Sequence, residues 1–289
     1  MRSSETQGNS AHPLFTVVTP SFNMLPYLKR CVRSVADQGV AAEHIVADAV
    51  SRDGTPEWLA AQSGVTAIVE KDSGMYDAVN KGLARARGEI VSYLNCDEQY
   101  LPGTLGVVAD YFASHPEVDV LFGDALLVDP AGQLLSYRKG YRPRWPYIAA
   151  SHLYVLSCTM FLRRRVIDEG ARFDMGWKDV GDAEFVIRIL RGGARAAHVG
   201  RYLSVFTMTG ANMSAGPNAR RETLRLRRSC PSWIRALALP LDVARRVEKV
   251  LSGAYTQRFP LSYALYAAPD DERRTEFNVV SSSFRWPTA

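Results

Sequence analysis

The 289-residue sequence lacks long apolar runs. Nowhere do about 18 uninterrupted apolar residues mark a membrane span. The first thirteen residues are polar and contain no apolar segment of the signal-peptide type. We therefore expect a protein that is soluble or rests on a surface.

Cysteine is also scarce. The four cysteines have neither the paired spacing of a zinc motif nor the density of a disulfide framework: Cys31, Cys96, Cys158 and Cys230. This usage favours a reducing compartment. We expect a cytoplasmic location, with the inner face of a membrane as a further option.

The composition is that of a globular protein with a basic bias. Hydrophobic residues make up 47% and charged residues 22%, which suffices for a buried core and excludes disorder throughout. The formal net charge is +5, and Lys and Arg cluster only in the last third. This distribution fits phosphate-bearing ligands or a membrane surface better than a long duplex, so we expect no nucleic acid partner.

Hydrophobic periodicity predicts alternating strands and helices in the first half of the chain. Strands are predicted at 14–19, 44–48, 65–69, 89–94 and 118–122, with a helix between each pair. Such alternation indicates an α/β fold with a mostly parallel sheet and helices on both of its faces.

The pattern changes after Asp124. A hairpin is predicted from 125–128 and 133–138, followed by a long aromatic and basic loop over 137–147. A strand at 154–162, a helix at 181–191 and a strand at 196–207 come next. From Pro217 the chain is predicted to be helical and basic, and its last twenty or so residues weakly ordered.

Polar residues follow three of the predicted strands. Ligands of open parallel sheets bind outside the carboxyl ends of the strands, and these ends carry 19–23, Asp48 and 95–98. Two of these groups have ordinary explanations, because Asn23 suits a helix cap and Asp48 a turn acid for 51–55. For Asp97 a function is favoured, namely binding Mg²⁺ or Mn²⁺, which prefer hard oxygen ligands.

The segment 70–82 is unusually polar for a connection into a helix. Ser73 as a cap, Asp77 at the positive helix start and a Lys81–Asp77 pair would explain most of it. These roles leave Asn80 unexplained, and it lies on the same helix face as apolar residues. Its amide either satisfies buried backbone or reaches the ligand crevice.

A further acidic group lies at the start of the predicted helix 181–191. Asp182 shares an apolar stripe with Phe185, whereas Glu184 shares a stripe with Arg188. We therefore expect Glu184 to face solvent and pair with Arg188. Asp182 is turned toward the protein, as either a buried cap or a catalytic base.

Taken in order, these segments resemble the inverting family 2 glycosyltransferases, which are nucleotide-sugar-dependent enzymes of the GT-A fold. The resemblance covers about 15–214. Each match is weak alone, but five occur in sequence: TPSFN at 19–23, Asp48 with SRDGT at 51–55, DSGMYDAVNKG at 72–82, NCDE at 95–98 and GDAE at 181–184.

The resemblance implies a role for each matched residue. Asp97 corresponds to the last acid of the family's DxD signature and would hold Mn²⁺ or Mg²⁺, and Asp182 stands where the family keeps its general base. Asp48 would accept a hydrogen bond from the nucleotide base. The remaining donor-binding residues implied in this way are Thr19, Pro20, Asn23, Asp72, Gly74, Tyr76, Asn80, Lys81 and Asn95.

The resemblance also implies a reaction and a domain plan. A single displacement would transfer one sugar from a nucleoside diphosphate donor, with UDP-sugars favoured, to a saccharide or lipid-linked acceptor of surface polysaccharide or glycoconjugate assembly. Residues 1–13 would be a flexible N-terminus. Residues 14–124 would form the nucleotide-sugar half and 125–215 the acceptor half of one domain, with 216–289 as a helical, basic extension.

The sequence departs from the family pattern at three positions. Asn95 replaces the first acid of DxD, Glu98 replaces a frequent second Asp, and Thr209 stands near where many relatives carry a His. Whether Glu98 or His198 assists the metal stays open. The rivals are a nucleotidylyltransferase, which would need an early Gly- and Arg/Lys-rich loop, and a non-catalytic nucleotide-sugar or glycan-binding protein.

The C-terminal segment suits an amphipathic helix. Basic residues accompany apolar residues at helical spacing. The apolar residues are Trp233, Ile234, Leu237, Leu241, Ala244 and Val247. The apolar side is expected to pack on the catalytic domain or on a second copy in a homodimer. A peripheral membrane contact is the alternative.

Overall fold

The computed structural model of the protein describes residues 13–210 and 217–287. Nine strands form the main sheet: β1 Phe15–Ser21, β2 Ala42–Asp48, β3 Thr66–Val69, β4 Ile90–Tyr93, β5 Glu98–Tyr100, β6 Val120–Val128, β7 Leu134–Arg138, β8 Phe161–Arg163 and β9 Ala196–Thr207. Strands β10 Leu261–Leu265 and β11 Thr275–Val279 form a separate hairpin.

Ten α-helices accompany the strands in the described ranges. They are α1 Leu25–Ala36, α2 Thr55–Ala60, α3 Met75–Leu83, α4 Thr104–Ser114, α5 Trp145–Ala150, α6 Arg164–Asp168, α7 Gly181–Arg191, α8 Pro217–Ser229, α9 Ser232–Ala236 and α10 Ala238–Leu251. None of the helices in these ranges has the length and apolar character that a bilayer crossing needs.

The sheet has a parallel half and a mixed half. Its order is β3-β2-β1-β4-β8-β6-β9-β5, with β7 added on β6. The first four strands are parallel, β8 runs antiparallel between β4 and β6, and β6 and β9 are again parallel. The predicted α/β architecture with flanking helices is confirmed, and the antiparallel pairs are confined to the second half.

Helices cover both faces of the sheet and bury its aliphatic side chains. On one face Val79 of α3 and Phe185 of α7 pack with Val18 and Val91 of the sheet. On the other face the core includes Leu105 of α4 and other buried side chains of α1 and α4. The central strands β1, β4 and β6 are therefore buried on both sides, as expected for a sheet between helix layers, whereas the edge strand β3 is largely exposed.

The second half of the chain differs from the prediction in three places. The strands expected at 118–122 and 125–128 are one strand, β6, which crosses the proposed boundary at 124/125. The expected strand at 154–162 is reduced to β8, preceded by a short 3₁₀ helix at Ser157–Thr159. Helix α5 begins within the expected loop at 137–147.

Gly123 lies inside β6, between the two segments that were predicted as separate strands. A Cβ at this position would lie 2.4 Å from the Leu203 side chain of β9. The ladder between β6 and β9 shifts register next to Gly123. A glycine inside a strand marks a bulge and a close approach as readily as a break, and here it permits the approach of β9.

The C-terminal residues are firmly attached, which corrects the expectation of weak order. Arg274 makes a two-pronged ion pair with Asp37, the residue that follows α1, with both contacts at 2.6 Å, and donates to the backbone oxygen of Tyr100. In the hairpin, Tyr263 donates to the Gly132 carbonyl at 2.7 Å. The extension therefore packs on the side of the domain that holds β5 and β7.

Candidate active site

Three strand ends meet at one edge of the sheet. Strand β1 lies between β2 and β4, with Ser21 beside Asp48 and Val18 beside Tyr93. The carboxyl ends of these strands carry the polar groups 19–23, Asp48 and 95–98. This is the point at which the strand order reverses, where open α/β sheets bind their ligands.

The loop after β1 is tied to the loop after β2. The backbone N–H of Asn23 donates to Ser51 Oγ at 2.7 Å, and Asn23 Oδ1 accepts from the Arg52 N–H at 2.8 Å. Asn23 has a φ of 52° and Val50 a φ of 60°. Left-handed backbone at a β-branched residue is strained, and such strain is concentrated at functional sites.

Asn23 is not the cap of α1. The first free N–H of that helix, on Leu25, donates instead to Asp53 Oδ2 at 2.8 Å. Asp53 also accepts from Thr55 at the start of α2. One carboxylate thus serves the starts of two helices, and the Asn23 side chain orders the loop edge of the crevice.

Two of the expected donor-binding residues are engaged by the protein itself. Asp48 is 1% exposed, and its carboxylate accepts from both the backbone N–H and the hydroxyl of Ser51, at 2.8 and 2.5 Å. The Thr19 hydroxyl lies 2.9 Å from His44 Nε2 in the core. Burial lowers the pKa of His44 to about 4. Pro20 is buried beside them.

The start of α3 forms a polar rim. Asp72 Oδ1 accepts from the Gly74 N–H at 2.9 Å, and Gly74 has a φ of 133°. A Cβ at Gly74 would lie 3.1 Å from Lys178 Nζ, which donates to the Ser73 carbonyl. A cavity of about 80 Å³ lies here, lined by 73–77, Met175, Trp177 and Lys178.

The other polar residues of α3 are used within the protein. Asp77 accepts from Ser73 at the helix start, and Lys81 lies 3.7 Å from Asp77 and 3.1 Å from a Glu70 oxygen. The Asn80 amide donates to the carbonyl of Phe173 and accepts from its N–H. Since both amide atoms satisfy backbone, we leave Asn80 out of the proposed donor-binding set.

Asp182 stands at the first turn of α7, where its neighbours fix it. Its backbone N–H donates to the Tyr76 hydroxyl at 3.0 Å, and its Oδ1 accepts from the Ala183 N–H at 2.8 Å. The ring of Tyr76 lies against Gly181, where a Cβ would come within 2.4 Å. Burial raises the pKa of the Asp182 carboxyl to about 6.

Glu184 pairs as its helical position predicts. Its carboxylate lies against Arg188 one turn later, with a Nε–Oε1 distance of 2.8 Å. Arg188 is exposed, but the Glu184 side chain is only 16% exposed, so the carboxylate is more covered than expected. The two acids of the GDAE segment therefore have separate environments.

A second group of oxygens follows β4. Glu98 is 1% exposed, and one of its oxygens accepts from the Asn95 N–H at 2.8 Å. Burial raises the pKa of Asp97 to about 6. Burial and the charges of Asp97 and Asp182 raise the pKa of Glu98 well above its usual value. Asp182 is therefore close enough to Glu98 for its charge to contribute to this shift.

This group fits a divalent cation. Asn95 Oδ1 and Glu98 Oε1 are buried and have no hydrogen-bond partner among residues 13–210 and 217–287, and the half-buried Asp97 carboxylate lies between them in the chain. Hard cations such as Mg²⁺ take oxygen ligands and often use only one or two carboxylates together with substrate phosphates. The described residues contain no cluster of three or more His, Cys, Asp or Glu side chains that could hold a metal ion.

His198 is placed apart from these oxygens. Its Nε2 lies 2.9 Å from Asp124 Oδ1, and the same oxygen accepts from the Gly140 N–H. This pairing accounts for the imidazole without a metal. Thr209 is described, but 211–214 of the segment in which relatives carry the His and Asn lie outside the described residues.

Glu222 is a site residue that the sequence analysis missed. From α8 it accepts hydrogen bonds from the backbone N–H groups of Lys178, Asp179 and Val180 at 2.9 to 3.1 Å. Burial alone would raise the pKa of Glu222, but these donors and Asn218 hold it below its usual value. The sequence feature that could have identified Glu222 is that it is the one acid in the basic segment that forms α8. Its bonds fix the loop that leads into α7 and Asp182.

Comparison with known proteins identifies the family of the chain. The profile of the family "Glycosyl transferase family 2" matches residues 16–170. A PGL/p-HBAD biosynthesis glycosyltransferase of Mycobacterium bovis (strain BCG / Pasteur 1173P2) is 25% identical over 260 residues, which is 88% of this chain and 98% of that protein. The putative teichuronic acid biosynthesis glycosyltransferase TuaG of Bacillus subtilis (strain 168) is 36% identical over 94 residues, 30% of this chain and 37% of that protein.

Solved structures share the fold. TarS 1-349 of S. aureus, in complex with UDP-GlcNAc, superposes with a TM-score of 0.60 at 18% identity, over 92% of this chain and 99% of that one. The mannosyltransferase PcManGT of Pyrobaculum calidifontis, in complex with GDP-Man and Mn²⁺, gives 0.56 at 19% identity, over 84% and 77%. The expected GT-A fold is confirmed. Because the family profile matches more than half of its length, the chain belongs to glycosyl transferase family 2 and is an enzyme that transfers sugars.

Proposed function

We propose that the chain is a metal-dependent, inverting glycosyltransferase that moves one sugar from a nucleoside diphosphate sugar to a saccharide or lipid-linked acceptor. The carrying observation is Asp182. Burial raises the pKa of its carboxyl group to about 6, and its backbone N–H donates to the Tyr76 hydroxyl. The charge of Asp182 also contributes to the raised pKa of Glu98, the residue next to Asp97.

Asp182 suits the role of a general base. A base works best when its pKa lies near the working pH, since it is then mostly deprotonated yet still basic enough to accept a proton. In an inverting displacement the Asp182 carboxylate would take the proton of the acceptor hydroxyl as its oxygen attacks the anomeric carbon. The bond between that carbon and the diphosphate oxygen breaks on the opposite face.

The residues after β4 suit the leaving group. Asp97 is proposed as the protein ligand of Mn²⁺ or Mg²⁺, with the unpartnered oxygens of Asn95 and Glu98 beside it. Such a cation, when bound, neutralises the charge that develops on the departing diphosphate. The Asp97 carboxylate, with the buried oxygens of Asn95 and Glu98, would hold this cation at the edge of the sheet.

The donor is proposed to lie along the strand ends, against Pro20, Asn23, Asp48, Asp72 and Gly74 and the face of Tyr76. UDP-sugars are favoured among donors, and TarS in complex with UDP-GlcNAc supports that preference. PcManGT in complex with GDP-Man makes GDP-sugars the second class to test. The Asp48 carboxylate retains lone pairs beyond those that Ser51 uses, with which it would accept a bond from the base.

The acceptor is proposed to belong to surface polysaccharide or glycoconjugate assembly. Relatives are named for PGL/p-HBAD biosynthesis and teichuronic acid biosynthesis, which are the grounds for this proposal. A cytoplasmic location is proposed because all four cysteines are free and buried.

A donor panel tests the function. UDP- and GDP-sugars are incubated with the full chain in Mn²⁺, Mg²⁺ or EDTA, and nucleotide release is measured with and without saccharide acceptors. We expect one donor to be turned over with metal only. Asp97→Ala should lose turnover and the metal dependence of donor binding, whereas Asp110→Ala, an exposed acid of α4, should retain both. Turnover that is unchanged in EDTA and in Asp97→Ala would remove the metal from the proposal.

A further inference from the structure

Helix α10 turns charged side chains toward the protein and apolar side chains toward solvent. The side chains that it turns toward the protein are mainly charged. Arg245 is 7% exposed and bonds Asp242 at 2.6 Å, Glu248 pairs with Arg144 at 3.0 Å, and the Lys249 ammonium lies over the Tyr255 ring. Arg245 is the buried residue of this helix, and its leucines and valines contribute little to the core.

The solvent side of α10 is aliphatic. At about 100° per residue, Leu239, Val243, Val247 and Val250 fall within about 80° of one another around the helix axis. Their exposed fractions run from 52% to 75%, and that of Leu251 at the helix end is 82%. We call these five residues the α10 outer face. A surface helix of a soluble domain normally shows the opposite arrangement, so within the described part of the chain this face is an apolar surface without a partner.

The apolar residues of the predicted amphipathic helix therefore fall into a buried group and an exposed group. Ile234 is buried and Leu241 half-buried, as expected for packing on the domain. Leu237 and Val247 are exposed, and Trp233 of α9 is 42% exposed. Trp233 and Leu237 precede the α10 outer face in the chain and add aromatic and aliphatic exposure at its N-terminal end.

Positive charge is concentrated in the same part of the chain. Residues 217–251 contain nine Arg and Lys but only three Asp and Glu. This excess of +6 exceeds the formal charge of +5 for the whole chain, so the remaining residues carry one net negative charge. Arg246, whose side chain is 67% exposed, borders the α10 outer face.

We infer that the α10 outer face lies on an anionic lipid bilayer. Aliphatic side chains on one side of a helix, bordered by Arg, with a nearby Trp, are what a helix lying in the membrane interface requires. The net positive charge complements the negative surface of acidic phospholipids. The helix is about 21 Å long and lies flat on the protein, so it contacts one leaflet without crossing it.

A second copy of the chain fits this face less well. Apposing two α10 outer faces would bring two segments of +6 charge together. Like charges held close across an interface oppose association. A bilayer of acidic lipids instead supplies both the apolar contact and the opposite charge.

Vesicle flotation with the full chain tests the inference without using enzyme activity. The probes are phosphatidylcholine vesicles and vesicles that also contain phosphatidylglycerol. The altered protein is Val243→Asn with Val247→Asn, and the control is Val280→Asn, which replaces a valine outside α10 that is even more exposed, at 82% against 52% for each of the other two. Because all three valines are exposed, thermal melting should show a retained fold. Light scattering after size exclusion gives the oligomeric state.

We expect the unaltered chain and the control to float with phosphatidylglycerol vesicles, and to do so at least tenfold less at high salt or with phosphatidylcholine alone. The double variant should bind at least tenfold more weakly. The inference is overturned if the unaltered chain does not float, or if the double variant floats equally well. It is also overturned if the chain is a dimer that the double variant dissociates, since the face would then join two copies.

Discussion

The backbone N–H of Asp182 donates to the phenolic oxygen of Tyr76 over 3.0 Å. This bond joins the first turn of α7 to α3, although 106 positions separate the two residues in the chain. The Tyr76 ring stacks on Phe173, which stacks on Phe185 of α7 with 4.1 Å between ring centroids. The position of Asp182 is thus set by a packed aromatic column.

Replacing Asp182 by Asn should abolish most of the sugar transfer. The amide keeps an oxygen for the Ala183 N–H but cannot accept a proton, and a general base contributes about 10²- to 10⁴-fold in rate. Initial rates and calorimetric donor titration should show a large loss in kcat with donor affinity within about twofold. Glu184→Gln, two residues later and paired with the exposed Arg188, should keep nearly full activity. A similar loss in both variants would assign the effect to the helix and not to a base.

The rate should fall on acidification. Burial raises the pKa of Asp97 and of Asp182 to about 6, and in the proposed mechanism both work in the deprotonated form. The rate should therefore rise with pH through about 6 and level off above pH 7. Saturating metal should keep Asp97 deprotonated, since cation ligands must be unprotonated. The acid side of the pH profile should then reflect the loss of one proton, from Asp182. A profile of kcat/KM that is flat from pH 5 to 8 would contradict this assignment.

The same pKa predicts that Asp182 costs stability. A carboxyl whose pKa is higher in the folded than in the unfolded chain loses its stabilising contribution as the pH rises from its usual value to about 6. Asp182→Asn should therefore be more stable than the unaltered chain at pH 8, by about 1–3 kcal/mol. Thermal melts should show this difference shrinking below pH 6. An equal difference at pH 4.5 and pH 8 would point to a cause other than charge.

Tyr76→Phe should reduce turnover without unfolding the protein. The Asp182 N–H loses its acceptor at a cost of about 1–3 kcal/mol, while the ring still packs against Gly181. We expect kcat to fall about tenfold, because a small misplacement of the base is sufficient for such a loss. Tyr111→Phe, a half-buried tyrosine of α4, is the control and should leave kcat unchanged. A normal kcat in Tyr76→Phe would show that the hydrogen bond does not position Asp182.

Glu222→Gln tests whether the C-terminal extension supports the site. The amide retains one acceptor oxygen, so three N–H groups compete for it and about 1–3 kcal/mol of stability should be lost. The loop over 178–180 leads directly into Asp182. Steady-state kinetics should therefore show a lower kcat with an unchanged donor KM. Glu272→Gln, an exposed acid, serves as the control. A lower melting temperature with normal kcat would make Glu222 a residue of stability only.

Local periodicity predicted much of the fold. Helix α7 and strand β9 lie where the pattern placed them, because each has a sustained period and a clear glycine or turn at its ends. Strand β5 was not predicted. Its three residues pair with β9, about a hundred positions away, and so short a strand has no period of its own.

The candidate site could be predicted only in part. The strand-end rule brought Asn23, Asp48 and Asp97 to one edge of the sheet, and helical spacing separated Asp182 from Glu184. The partners of Thr19 and Asn80 could not be foreseen, since His44 and Phe173 reach them only through packing. Glu222 was missed for the same reason, because its partners lie more than 40 positions away.

The sequence by itself determined the alternation of strands and helices, and with it the polar residues at the strand ends, because side-chain periodicity and turn chemistry act over a few residues. The tertiary structure decided which oxygens stay without partners, which carboxyls have raised pKa values, and which side of α10 faces outward. Those properties depend on burial and on partners brought from distant parts of the chain, and no local pattern encodes them.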